Sequence, residues 1–290
     1  MQESKPKQVK RQSEFAIIWR RFKRNKIAMA GMIIVVAYYF IAILAPILAP
    51  YDPQEIDLLN PLSPPGKDHL LGTDPIGRDV LSRIIYGARI SLLVGTLAVL
   101  LGVTIGILAG LVAGYYGGNI DDVIMRINDV MWSFPVTLLA IVVAGIVGPN
   151  VSYLIFIIGI IMVPRYTRVI RGTVLSIKER DYILAARALG CGNLRILFRQ
   201  ILPNAIGPII VVATMSMAGA ILTESGLSFL GFGIAPPTPT WGNMIASGRQ
   251  YIRTCPHLII YPGIAITLTV LGFNLFGDGL RDAIDPRLKI

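Results

Sequence analysis

Side chains able to do chemistry are few and scattered along this chain. The only histidines are His69 and His257, and the only cysteines are Cys191 and Cys255. Neither histidine has an Asp or Glu at metal-ligand spacing, and no Ser/His/Asp constellation suited to nucleophilic catalysis stands out. Two cysteines cannot build a disulfide framework or a thiolate metal site. No catalytic residue and no metal ligand is therefore expected. The run Gly72-Thr73-Asp74-Pro75-Ile76-Gly77-Arg78-Asp79 has the outline of a phosphate loop, but that loop ends in Gly-Lys-Ser/Thr. Arg78 and Asp79 occupy the places of the phosphate-reaching Lys and the hydroxyl. The run reads instead as a structured turn leading into a helix from Asp79, and no nucleotide site is visible.

Ionisable residues inside apolar runs carry more weight, because charge in hydrocarbon is costly. Glu224, within Thr223-Glu224-Ser225-Gly226, falls near the outer end of such a run. Two readings stay open for it: it faces a water-filled cavity and meets a cationic group of a substrate, or it caps or pairs within the protein. Arg126 and Asp129 have the i, i+3 spacing of a local ion pair. Gly102, Gly106, Gly110 and Gly114 recur every four residues, which lays small residues along one helical stripe and lets a neighbouring backbone approach.

The elements that must position these residues are membrane spans. Residues of the AVILMFWYC class make up 54% of the chain and charged residues only 15%, and the mean hydropathy is +0.65. A soluble domain carries roughly 25% charge, so a disordered chain, a coiled coil and a water-soluble enzyme are excluded in favour of an all-α integral membrane protein. About 20 apolar residues cross the hydrocarbon. Six spans are expected: Ala28 to Leu48, Ile90 to Tyr115, Val130 to Val147 (entered by a helix from near Asp121), Val151 onward, Ala205 to Leu222, and Leu258 to Phe276. The fourth has only Val151 to Val163 before Pro164 and Arg165, and so must continue through Tyr166 to Ile170 or sit in a thinned bilayer. Pro135, Pro164 and Pro262 interrupt spans, and kinks are expected there.

Lys and Arg concentrate in cytoplasmic loops. Lys5, Lys7, Lys10, Arg11, Arg20, Arg21, Lys23, Arg24 and Lys26 precede the first span and place the N-terminus inside. Six spans then keep Arg165, Arg168, Arg171, Lys178, Arg180, Arg187, Arg195 and Arg199 inside, with Arg281, Arg287 and Lys289. This distribution accounts for the net charge of +10 through topology and anionic lipid, not nucleic acid. Two loops lie outside, from about Pro50 to Gly87 and from about Gly233 to His257. Cys255 is then outside and Cys191 inside, so the two cannot pair within one molecule.

Between spans four and five, Asp181 has the chemistry of an N-cap and Gly190 that of a C-terminal stop. They bracket about two turns with Ala185 and Ala186 in the middle. A helix this short is not stable alone, and its small surface suits a protein groove better than a lipid interface, where large apolar faces are usual. Another turn over Leu194 to Phe198 precedes Leu202-Pro203-Asn204, which enters span five.

Ala185-Ala186, then Gly190, then Leu202-Pro203 resembles the coupling-helix signature of ABC importer permeases: Glu-Ala-Ala, three residues, Gly, nine residues, Ile-x-Leu-Pro. Leu184 stands where the Glu is usual and Gln200 at the Ile position, which removes the carboxylate and keeps the Ala/Gly shape. Arg21-Phe22-Lys23-Arg24-Asn25-Lys26, Leu71-Gly72-Thr73-Asp74, Gly77-Arg78-Asp79-Val80-Leu81-Ser82-Arg83 and Tyr86-Gly87-Ala88-Arg89 are similar to the second permease of dipeptide, oligopeptide and nickel importers. So are Leu227-Ser228-Phe229-Leu230-Gly231, Pro236-Pro237-Thr238-Pro239 and the stretch from Gly277 to Pro286.

The resemblance implies a type I ABC importer permease fold with six transmembrane helices and both termini cytoplasmic. It implies a basic segment 1–27, a first span 28–49, an external loop 50–87, a transmembrane domain 88–280 containing a coupling segment 172–204, and a tail 281–290. Asp181, Tyr182, Ala185, Ala186, Arg187, Gly190, Leu202 and Pro203 would couple to an ATPase, with Glu224 the candidate on the substrate pathway. The partners implied are a homologous second permease in a heterodimer, two cytoplasmic ATPase subunits that hold ATP and Mg²⁺, an external substrate-binding protein, and lipid. The chain would bind no cofactor itself and sit in a bacterial or archaeal cell (inner) membrane. Its cargo would be di- or oligopeptides, with nickel or a metal chelate as the alternative. A secondary transporter would need mid-membrane relay carboxylates, and only Glu224 is near.

Overall fold

The computed structural model describes residues 14–148 and 150–284. Lys5, Lys7, Lys10 and Arg11, the tail residues Arg287 and Lys289, and Asp285-Pro286 of the C-terminal motif lie outside the described residues. Twelve α-helices are described: α1 (Glu14–Arg24), α2 (Lys26–Ile43), α3 (Ala45–Leu48), α4 (Val80–Tyr116), α5 (Gly118–Ser133), α6 (Val136–Val147), α7 (Val151–Lys178), α8 (Asp181–Ala188), α9 (Asn193–Ile196), α10 (Leu202–Phe229), α11 (Trp241–Gly248) and α12 (His257–Ile284). Among the described residues no strand forms, and one isolated bridge joins Thr73 to Asp79.

Among the described residues five helices are long and apolar enough to cross a membrane, and a sixth crossing results if α5 and α6 together make one. The spans expected at Ile90, Ala205 and Leu258 extend further than their apolar runs, because polar residues join the helix ends: α4 begins at Val80, α10 ends at Phe229 and α12 ends at Ile284. The fourth span takes the longer of its two expected forms, since α7 passes through Pro164 to Lys178. The third differs most from expectation. Val130 belongs to α5, and α5 and α6 meet at an 87° bend. Phe134 is extended there (φ −95°, ψ 137°), the conformation that a following proline imposes. By contrast, Pro164 and Pro262 lie inside unbroken helices.

The glycine stripe explains how α4 meets α7. A Cβ on Gly102 would stand 2.7 Å from the Gly159 carbonyl oxygen, one on Gly110 2.6 Å from Ile170 Cβ, and one on Gly114 2.8 Å from Val174 Cβ. Gly106 faces Tyr166 in the same way. The stripe is thus a backbone-to-helix contact running down most of α7. At one end of the bundle Phe22, Ala28 and Ala283 cluster, and Leu111, Tyr115, Val174 and Ile177 close around α8. At the other end Val80, Met244, Cys255 and Leu258 gather with Leu62 and Leu71, which fastens the loop before α4 to the region around α11 and the start of α12.

Candidate coupling site

The segment that follows α7 folds back against the end of the bundle. Glu179 closes α7, and Arg180, in extended conformation (φ −74°, ψ 144°), is the N-cap of α8 without a side-chain cap bond. The expectation that Asp181 caps is therefore corrected by one position. Asp181 is the first helical residue, where its charge still suits the helix N-terminus. Ile183 and Ala186 are buried against Tyr115, Val174 and Ile177, while Tyr182, Leu184, Ala185, Arg187 and Leu189 are exposed. The helix ends as its sequence predicts. Gly190 takes φ 77°, its N–H donates to the Arg187 carbonyl at 2.9 Å, and the Cys191 N–H donates to the Ala186 carbonyl at 3.0 Å. These two bonds form a Schellman motif, whose left-handed position favours glycine.

Five contacts hold this segment and the adjoining span ends together. The Tyr115 hydroxyl donates to Asn193 Oδ1 at 2.8 Å, and the Arg187 guanidinium lies 5.0 Å from the centre of the Tyr115 ring. Lys178 Nζ donates to the Gly114 carbonyl at 2.9 Å. Asn204 Nδ2 donates to the Gln200 carbonyl at 2.6 Å and to the Tyr182 hydroxyl at 3.3 Å. The turn expected from Leu194 is α9 followed by a π-helical turn, Leu197–Ile201, which runs into α10 with Leu202 and Pro203 in its first turn. Eight of the sequence-derived candidates, Asp181, Tyr182, Ala185, Ala186, Arg187, Gly190, Leu202 and Pro203, are thereby gathered at one end of the bundle.

Glu224 is not among them. It lies about six turns further along α10 and is fully buried. Ser91 Oγ of α4 donates to its Oε2 at 2.8 Å, Ser228 Oγ to its Oε1 at 2.8 Å, and Ser225 Oγ to Oε2 at 3.3 Å. Its carboxylate has partners within the protein, as one of its two readings expected, and links α4 to α10. Gly242 of α11 packs directly on Ser228, where a Cβ would stand 2.8 Å from Ser228 Cβ. The neighbouring Trp241 is fully buried and donates from Nε1 to the Ile84 carbonyl at 3.0 Å.

Long-range pairs escaped sequence reasoning. Asp129 pairs with Arg168 of α7 rather than with Arg126, and the Arg168 guanidinium lies over the Trp132 ring. Asp121 receives two bonds from Arg171, at 2.5 and 2.6 Å. In the loop before α4 Asp79 caps that helix by accepting from the Ser82 N–H at 2.7 Å, as the turn reading anticipated. It also meets His69 Nδ1 at 2.9 Å, a pair that a separation of ten positions hid. Hydrogen bonds from the Asn60 side chain and the Leu59 N–H hold the nearby Asp57 carboxyl below the ordinary carboxylate range. Among the described residues no group of three or more His, Cys, Asp or Glu could hold a metal ion.

Residues 102–290 match the family described as the binding-protein-dependent transport system inner membrane component, and residues 13–65 match the N-terminal TM domain of oligopeptide transport permease C. The dipeptide transport system permease protein DppC of Escherichia coli is 48% identical over 277 residues, covering 93% of this chain and 92% of that protein. The protein of the same name from Alkalihalophilus pseudofirmus is 46% identical over 271 residues, covering 93% and 89%. The glutathione transport system permease protein GsiD of E. coli is 43% identical over 286 residues, covering 98% and 94%. A chain of the MetNI methionine ABC transporter in an inward-facing conformation superposes with a TM-score of 0.56 at 18% identity, covering 70% of this chain and 96% of that one, which extends the likeness to the fold. This multi-pass membrane chain belongs to the binding-protein-dependent transport family and is a permease subunit of an ABC importer, not an enzyme.

Proposed function

We propose that this chain and a homologous permease form the translocation pathway of an inner-membrane importer for dipeptides and other short peptides. An external binding protein delivers the peptide to the face built from the two outer loops. Two cytoplasmic ATPase subunits hold ATP and Mg²⁺ and supply the energy. The N- and C-termini and α8 face the cytoplasm, which agrees with the Lys and Arg enrichment at that end. Peptides are favoured as cargo because relatives close to half identical over nearly the whole chain carry dipeptide names.

The observation that carries the coupling role is α8: a two-turn helix, closed by a Schellman motif, buried on the side of Ile183 and Ala186 and open on the other. In this reading Tyr182, Ala185 and Arg187 meet an ATPase groove, Asp181 and Gly190 set the ends of the helix, and Leu202-Pro203 passes the motion to α10. Domain 88–280 moves as the transport unit, with 172–204 as its handle. Glu224 acts by holding α4 to α10 and does not touch cargo.

The test is uptake of a labelled dipeptide into vesicles containing both permeases and the ATPase subunits, with the binding protein supplied outside. ATP inside the ATPase-accessible compartment is expected to drive uptake, and a proton gradient alone is not. Uptake driven by the gradient without ATPase subunits would overturn the reading. So would ATP hydrolysis by this chain alone.

A further inference from the structure

The surface around α8 has a composition that specifies what it fits. Twenty-eight residues of α7 rise about 42 Å, against about 30 Å of hydrocarbon. Only Gly148 to Asn150 separate α6 from α7 at the opposite end, so the excess of about 12 Å carries the last turns of α7, and α8 with them, out of the lipid. Apolar side chains left open at this end therefore face water unless protein covers them. Five are open: Leu189 (84% exposed), Leu194 (69%), Leu184 (50%), Phe198 (48%) and Tyr182 (41%).

Arginines stand among them. Arg180, Arg187, Arg195 and Arg199 are all exposed, and the ion pairs among the described residues use Arg78, Arg83, Arg168 and Arg171 instead. Only Glu179 and Asp181 offset them locally. Position 184, next to Ala185-Ala186, carries Leu and no carboxylate. Leucines and aromatics flanked by arginines that lack an internal acid are the composition of an interface core with a charged rim.

We infer that the ATPase groove receiving this end, on the coupling reading given above, has an apolar floor that takes Leu184 and Leu189 and a rim of Asp and Glu carboxylates that faces Arg180, Arg195 and Arg199. No basic residue of the groove is needed opposite position 184. Arg187 is shared between this rim and the Tyr115 ring, so it orients α8 as well as meeting the partner.

The experiment purifies the intact importer through a tag on this chain and measures ATPase subunit retained against salt. Three variants are compared: Arg195→Glu/Arg199→Glu, Leu189→Asp, and Leu184→Glu. Retention by the wild type should fall with salt. The double arginine variant should retain at least tenfold less ATPase at low salt and show a shallower salt dependence, Leu189→Asp should lose ATPase at every salt concentration, and Leu184→Glu should weaken retention through repulsion from the rim. Unchanged retention in the arginine variant, with loss in Leu189→Asp, would overturn the acidic rim and leave the docking of α8 standing. Unchanged retention in all three would remove both. Binding of the importer to phosphatidylglycerol vesicles provides the last arm: if the arginine variant loses that binding and keeps its ATPase, the arginines serve lipid headgroups and the acidic rim is wrong.

Discussion

The pair α4–α7 and the pair α5–α6 are neighbours in sequence and in space, yet they are built on opposite plans. The first is two unbroken helices joined through a glycine stripe, with Gly159 of α7 answering by packing on Leu101 and the Ala98 carbonyl. The second is broken at Phe134-Pro135, and its apolar residues Val123, Ile127, Val130, Leu138 and Val142 remain more than half exposed in the isolated chain. A proline costs a helix about 3 kcal/mol or more. At Pro164 the packing of α7 on α4 extends to both sides of the defect, from Gly159 to Val174, and holds the helix together. At Pro135 no comparable packing exists, and the chain turns. The same residue type breaks one helix and not the other because of what lies beside it.

The comparison can be broken most severely at its centre. Gly106→Leu drives a side chain into Tyr166 and the Val163 carbonyl, and overpacking of this kind costs roughly 1–3 kcal/mol or more. The expected result is little folded protein in detergent by size exclusion, whereas Gly172→Ala, with nothing within 4 Å of its Cβ, should fold like the wild type; equal yields would sink the stripe as the organising contact. Asp121→Ala removes both bonds from Arg171, and with Arg171 one-third exposed the loss should be about 1 kcal/mol, read as a lower thermal midpoint. Glu224→Gln should nearly preserve stability and uptake because an amide still bonds serines, while Glu224→Ala should lower the thermal midpoint; loss of uptake by Gln with an unchanged midpoint would instead give this residue a role in the pathway. The smallest effect on stability is expected for Pro135→Ala, since little packs on that bend. Its uptake rate should change more than its thermal midpoint, and the reverse would mean that the break is structural.

Much of this was legible from sequence, for identifiable reasons. Spans were legible because apolar runs are long, and the glycine stripe because its spacing survives any choice of neighbour. That α7 is the neighbour was not legible, since a stripe does not name its partner. Gly190 was legible because a left-handed position selects its residue type. Asp181 was placed one residue off, because Asp favours both the cap and the first turn. Arg126 was paired with Asp129 by local spacing, and Arg168, 39 residues away in sequence, took the place through the fold. Glu224 showed as a buried acid, but its serine partner on α4 is 133 residues distant.

The stripe has a consequence for how the gene can tolerate change in length. Two residues inserted directly after Gly106 would turn everything beyond them by about 200° and present Leu108 and Val112 to α7 in place of Gly110 and Gly114. Four inserted residues would turn it by a full circle and about 40° more, returning small residues close to their seats. Tolerance of insertions in this stretch should follow the pitch of the helix rather than the number of residues added.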